Sequence, residues 1–204
     1  MSLTVKESGT EFKQVAPGTY PARCIKVIDL GTQHGEYNGK PTVKQQILVT
    51  WELPTELIED GELAGKPYAV SKFYTASLGE KANLRKDLES WRGRAFTEQE
   101  LAGFNVKAIL GKPCMLSIIH NDKSKAKISA VMALMKGVTV PDAMNPLVWF
   151  DISEWDDNAF DGLSKGIQEI IHHSDEYKEM SGIGNTTTEP PVLGDVVNDS
   201  DIPL

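Results

Sequence analysis

The sequence predicts a mainly β fold: a five-stranded OB-fold barrel with a helix between strands 3 and 4, a C-terminal amphipathic helix and a disordered acidic tail. Three observations lead there. Five segments alternate apolar and polar residues in the order strand, strand, strand, helix, strand, strand, the element order of that barrel. Between the first two lies Asn38-Gly39, a pair that favours a tight hairpin turn. Between the third and fourth, Leu84, Leu88 and Trp91 recur at i, i+4 and i+7, one face of a helix.

Each element follows from its residues. Residues 1–16 are polar and without period, an N-terminal arm. The barrel is expected over 17–136. Its first strand is Gly18–Gln33, with Arg23, Ile25 and Val27 on one parity and Tyr20, Ala22, Cys24 and Lys26 on the other. The second is Val43–Leu53, with Val43, Gln45, Ile47, Val49, Trp51 and Leu53 on one face. Lys66–Gly79 reads as the third. A helix follows, with Ser77 as N-cap, Glu80 three residues on, and Gly93 as its stop. Thr97 with Glu100 forms a second capping box before a short helix. Gly111–Leu134 supplies two more strands around the turn Asn121–Ser124. Residues 137–180 are a linker and one helix, whose stripe of Phe160, Leu163, Ile167, Ile170 and Ile171 packs on the barrel. From residue 181 to 204, Gly, Thr, Pro and acids dominate, and a disordered tail is expected.

Composition narrows the function. The chain carries 40% hydrophobic and 25% charged residues, ordinary for a globular protein. No apolar run approaches the roughly 18 residues of a membrane helix. Cys24 and Cys114 sit inside apolar runs as small buried hydrophobes, and with no CxxC or signal-peptide core a cytoplasmic location is expected. Net charge is −8, but the chain after Met180 holds four acids and no base. Without them 25 acids face 21 bases, a net of −4 that leaves room for a basic groove.

Catalytic patterns are absent from the sequence. His172 and His173 are adjacent and diverge on a helix, and His34 and His120 have no ligand partner at metal spacing. The acids of Asp151–Asp157 read as a solvated stretch. There is no nucleophile elbow, phosphate-binding glycine loop or HExxH, so no enzyme and no cofactor is expected.

Single-strand binding needs cations along a backbone track and aromatic planes for unstacked bases. Tyr68, Lys72, Phe73 and Tyr74 lie on the third strand, with Arg85 on the helix after it. The first hairpin adds Tyr37, Lys40 and Lys44, and the last adds Lys123, Lys125 and Lys127. For each residue singly, core packing or plain solvation is the competing reading; Phe73 in particular suits a core.

The chain ends Asp199-Ser200-Asp201-Ile202-Pro203-Leu204. This resembles the acidic Asp-Ile-Pro-Phe ending of bacterial single-stranded DNA-binding proteins, with Ser200 within the acid run and Leu204 in place of the aromatic ring. Asp199, Asp201 and the terminal carboxylate suit a basic rim, and Ile202, Pro203 and Leu204 an apolar hole. The body from Val15 to Met180 resembles a family of phage-encoded OB-fold proteins, through Gly18–Leu53, Gly65–Leu101, Leu110–Asn121 and Phe160–Met180. The resemblance implies a protein that coats single-stranded DNA with little sequence preference during phage replication or recombination, in the host cytoplasm. Its partners would be single-stranded DNA and, through the tail, replication or recombination proteins; a homo-oligomer is compatible with it. An interaction adaptor with little DNA affinity is the rival reading, which the net acidity favours.

Overall fold

The structure is a computed structural model and describes residues 14–182. Most of the expected N-terminal arm, and the tail residues Asp199, Asp201, Ile202, Pro203 and Leu204, lie outside the described residues.

The fold is mainly β. Strands β1 (Gly18–Tyr37), β2 (Lys40–Leu57), β3 (Pro67–Thr75), β4 (Pro113–His120) and β5 (Ala126–Met132) pair in the order β3-β2-β1-β4-β5, each antiparallel to its neighbour. A sixth strand, β6 (Val148–Phe150), runs parallel to β1 beside Lys26–Ile28. Helices α1 (Asn83–Arg92) and α2 (Glu98–Ala102) lie between β3 and β4; α3 (Asp157–Asp161), α4 (Lys165–His172) and α5 (Asp175–Met180) follow β6.

The expected closure into a barrel is not made by hydrogen bonds. The end strands β3 and β5 approach each other without pairing, and the sheet stays open. Helix α1 packs against both of them, inserting Leu84, Leu88 and Trp91 into the apolar core. Ser90 O accepts from Ala133 N just past the end of β5, and Trp91 Nε1 donates to Pro113 O. Helix α1 thus bonds the start of β4 and the chain just past β5 as well as filling the core.

Both faces of β1 and β2 are buried. One face carries Ala22, Cys24, Val27, Ile47, Val49, Trp51 and Leu53 into a first core closed by α1. The other carries Ile28, Leu30 and Leu48 into a second core, closed by Phe150, Ile152, Phe160, Leu163, Ile167 and Ile171. Two bulges arrange this: Ile25 and Leu30 are extra residues in β1 relative to β2. The first lets Cys24 and Val27, three apart, share one face, which plain alternation forbids. Cys24 and Cys114 have no exposed surface, and burial pushes both thiols well above the ordinary cysteine range.

Several local expectations need correcting. Helix α1 starts at Asn83 after Ala82, without a side-chain cap; Ser77 instead accepts from Gly79 N. The single C-terminal helix is three short ones. Ser164 precedes α4, and Ser174 caps α5 by accepting from Tyr177 N while donating to Ile171 O. Such serines offer the backbone an alternative to helix continuation. The Thr97–Glu100 capping box and the Gly93 stop, with φ of 67°, are present. So is the turn at Asn38-Gly39, with both residues at positive φ as a type I′ turn requires.

A strap, Val140–Asn145, crosses the sheet where β1 and β2 carry a facing pair of charged residues, Arg23 and Glu52. Arg23 donates to Val140 O, Pro141 O and Gly111 O. Glu52, fully buried, accepts from Met144 N, Asn145 N and Asn145 Nδ2, each at 2.8 Å. Strap and sheet are joined polar group to polar group, and β6 follows in register.

Phe150 is 2% exposed and meets Trp155 and Phe160 at ring distances of 5.3 and 5.9 Å. Truncating it to alanine is expected to cost about 3–5 kcal/mol, as large aromatic cavities do. The urea midpoint of Phe150→Ala should fall accordingly with an unchanged slope; a midpoint within error of the parent would mean that the second core does not contribute to global stability.

Candidate nucleic-acid interface

Beyond Gln33 the β1–β2 hairpin leaves the body as a two-stranded arm, and its register decides what each side presents. Tyr37 faces Lys40, Gly35 faces Thr42 and Gln33 faces Lys44, so these side chains share one face. His34 with Val43 and Glu36 with Pro41 share the other. The first face carries Tyr37, Lys40 and Lys44 and no carboxylate. Tyr37 is 68% exposed, and neither lysine takes part in an ion pair among the described residues. Lys40 and Lys44 are four residues apart on one strand, about 13 Å. Toward the body the same face of β2 continues through Gln46 and Leu48, whose β3 neighbours are Thr75 and Phe73. Phe73 is half-buried against the second core.

Residues on the opposite parity of β3 are held differently. Lys72 Nζ lies 2.6 Å from Asp87 Oδ2 and Tyr74 Oη donates to the same oxygen at 2.7 Å. Tyr74 is 4% exposed, and burial, with the Asp87 charge behind it, pushes its phenol far above the ordinary range. Tyr68 packs against the first core. Arg85 donates to Glu89 Oε1 and to Leu78 O. Sequence alternation correctly put Tyr68, Lys72 and Tyr74 on one face, but that face meets α1, so the polar groups of Lys72 and Tyr74 are spent on Asp87 and the two rings pack on the core. Tyr74 presents no ring face to a base in this arrangement.

The third predicted group lies elsewhere. Asn121 Oδ1 accepts from Lys123 N and Lys125 N, shaping the β4–β5 turn. Lys123 and Lys127 are exposed, Lys125 is half-buried, and Lys127 stands opposite exposed Ile119. Because Ile118 pairs with Gly18, this turn is at the start of β1, whereas Tyr37 is at its end. The structure therefore sets the two basic hairpins at opposite ends of a twice-bulged 20-residue strand rather than side by side.

Charge is divided along the chain. Residues 14–149 carry 17 Lys and Arg against 14 Asp and Glu, a net of +3. Residues 150–182 carry two against nine, a net of −7. The β-rich body is basic and the helical segment that covers its second core is strongly acidic.

Sequence reading missed how the arm is held at its root. Glu176 on α5 accepts from Thr32 N and Thr32 Oγ1 at 2.6 and 2.7 Å, and His34 Nε2 lies 2.8 Å from Asp175 Oδ2. The weak signal for it was the acid pair opening α5, which a helix N-terminus favours anyway. Near this root a cavity of about 670 Å³ is lined by Asp29, Gln45, Asp151, Ser153, Glu176 and Glu179, among others. Among the described residues no group of three or more His, Cys, Asp or Glu is arranged to hold a metal ion. No described helix is long and apolar enough to cross a membrane.

Burial raises the Asp29 carboxyl above its ordinary value, and the charges of Asp151 and Glu176 push it the same way. A raised acid binds its proton more tightly folded than unfolded, so stability falls as pH climbs from the ordinary value, about 3.9, through the folded one. Asp29→Asn retains an oxygen for the Gly31 N–H bond and drops the charge. It is expected to raise the thermal midpoint at pH 7, with the gain vanishing below pH ~4. A gain equal at both pH values would refute the electrostatic cause.

No family model, curated protein or solved structure matches the chain.

Proposed function

We propose that the protein binds single-stranded DNA, with the β1–β2 arm as its principal contact, and acts in phage DNA replication or recombination. The observation that carries this is the arm face of Tyr37, Lys40 and Lys44: an exposed ring and two cations without an acid partner among the described residues, on a net basic body. Tyr37 would stack on a base, worth roughly 1–3 kcal/mol, and the lysines would take phosphates. Phe73 offers a second ring on the same sheet face, and Lys123, Lys125 and Lys127 a second basic site at the far end of β1. Lys72 and Arg85 contribute long-range potential only, since each is paired.

An OB-type barrel is the finer reading of the fold. The strand order, the two bulges of β1 and the approach of β3 to β5 around α1 support it. The resemblance of the last six residues to bacterial single-stranded DNA-binding proteins supports a tail that recruits replication or recombination partners. A second reading, an adaptor with little DNA affinity, has one observation in its favour: the net −7 of residues 150–182.

Anisotropy of a labelled oligo-dT of roughly 30 nucleotides, titrated at several salt concentrations, separates the two. Binding that weakens steeply with salt and survives duplex competition supports the strand-coating role. In Lys40→Ala/Lys44→Ala the slope of log affinity against log salt should flatten by about 1.4, from two lost phosphate contacts at ~0.7 each. Absence of binding at low salt, with or without the last six residues, would leave the adaptor reading.

A further inference from the structure

We propose that Glu176 and Asp175 are positioning residues that latch the root of the β1–β2 arm to α5 and so fix the angle at which the Tyr37–Lys40–Lys44 face meets a nucleic-acid strand; this rests on the single-strand reading above.

Three consecutive residues at the arm's root are held by the acidic helical segment. Thr32 gives both its N–H and its hydroxyl to the two oxygens of Glu176. Gln33, 6% exposed, donates through Nε2 to Ile170 O at 2.9 Å and to Leu30 O at 2.7 Å. His34 Nε2 lies 2.8–2.9 Å from both oxygens of Asp175. Immediately before them comes Gly31, at φ of 70° beside the Leu30 bulge. A Cβ there would lie 2.6 Å from Glu176 Oε2 and from Ser174 Cβ, so the approach of α5 requires glycine. Past His34 neither strand is covered; Tyr37 is 68% and Val43 58% exposed. A lone two-stranded ribbon is marginal in water. The direction of this one is therefore set at its root, by bonds to a segment that carries none of the proposed nucleic-acid contacts.

The acids that hold the root also repel phosphate. Gln45, on the parity opposite Lys44, lines the acidic cavity with Asp29, Asp151, Glu176 and Glu179. Charge and latch make opposite forecasts. By charge alone, removing a carboxylate beside the site should tighten DNA binding. By the latch, losing Glu176 should loosen the arm and weaken binding.

Glu176→Ala and Glu176→Gln lose the same charge, but the amide keeps one oxygen for Thr32. Two quantities are read: amide hydrogen exchange across residues 32–46, and oligo-dT affinity. In Glu176→Ala exchange should accelerate and affinity fall at least about fivefold, with Glu176→Gln between it and the parent in both. Thr32→Val, which drops the hydroxyl bond and leaves the helix untouched, should move both in the same direction by less. Unchanged exchange in Glu176→Ala, or equal or tighter binding by both Glu176 variants, overturns the latch. Accelerated exchange in a chain whose parent binds no single strand supports the latch and overturns the nucleic-acid reading instead.

Discussion

Val27 pairs with Val49 across β1 and β2, and Ile28 pairs with Leu48 one step along; the two pairs face opposite sides of the sheet and all four residues are buried. A strand pair buried on both faces needs a cover on each. On one side the cover is α1 with the curl of the sheet; on the other it is the segment from β6 to α5. The rest of the arrangement follows. The helix that covers the first face takes the inner parity of β3 and with it Lys72 and Tyr74. The segment that covers the second meets the arm at its root. Of the predicted contact groups, the outer reach of the β1–β2 arm and the β4–β5 turn remain open to solvent.

Covering a sheet with irregular chain raises a polar problem, because the covering backbone brings N–H and C=O groups that need partners. Arg23 and Glu52 solve it jointly. One supplies donors to three carbonyls, the other acceptors to two amides and a side-chain N–H. A buried carboxylate without such donors would be costly, and here its partners are supplied by the strap it holds. The strap leads directly into β6, so this clasp also sets where the second core begins.

The sequence was legible where local chemistry decides. Asn38-Gly39 permits positive φ at two successive residues, and the turn it makes fixes the arm's register, which is why Tyr37, Lys40 and Lys44 could be named together in advance. Thr97 and Glu100 satisfy each other's backbone, so their box formed as read. Ser77 and Glu80 have the same spacing, but the chain turns at Ser77–Gly79 and α1 starts only at Asn83. Alternation identified the faces of β3 and could not say which one a helix would cover. The three residues of β6 carry too little pattern to stand out, and their pairing partner is more than a hundred positions away. In the C-terminal segment the apolar stripe was read correctly as a burying face, but two serines divide the helix that was to carry it.

Cys24 and Cys114 lie within the first core on neighbouring strands, with no exposed surface and with thiols that burial keeps protonated. An alkylating reagent attacks the thiolate, so neither sulfur reacts until the strands around it separate. The protein thus carries two internal clocks at its centre. Their labelling rate in the absence of denaturant times the opening of β1 from β4, and a ligand that grips only the arm would leave that timing unchanged unless the arm and the core open together.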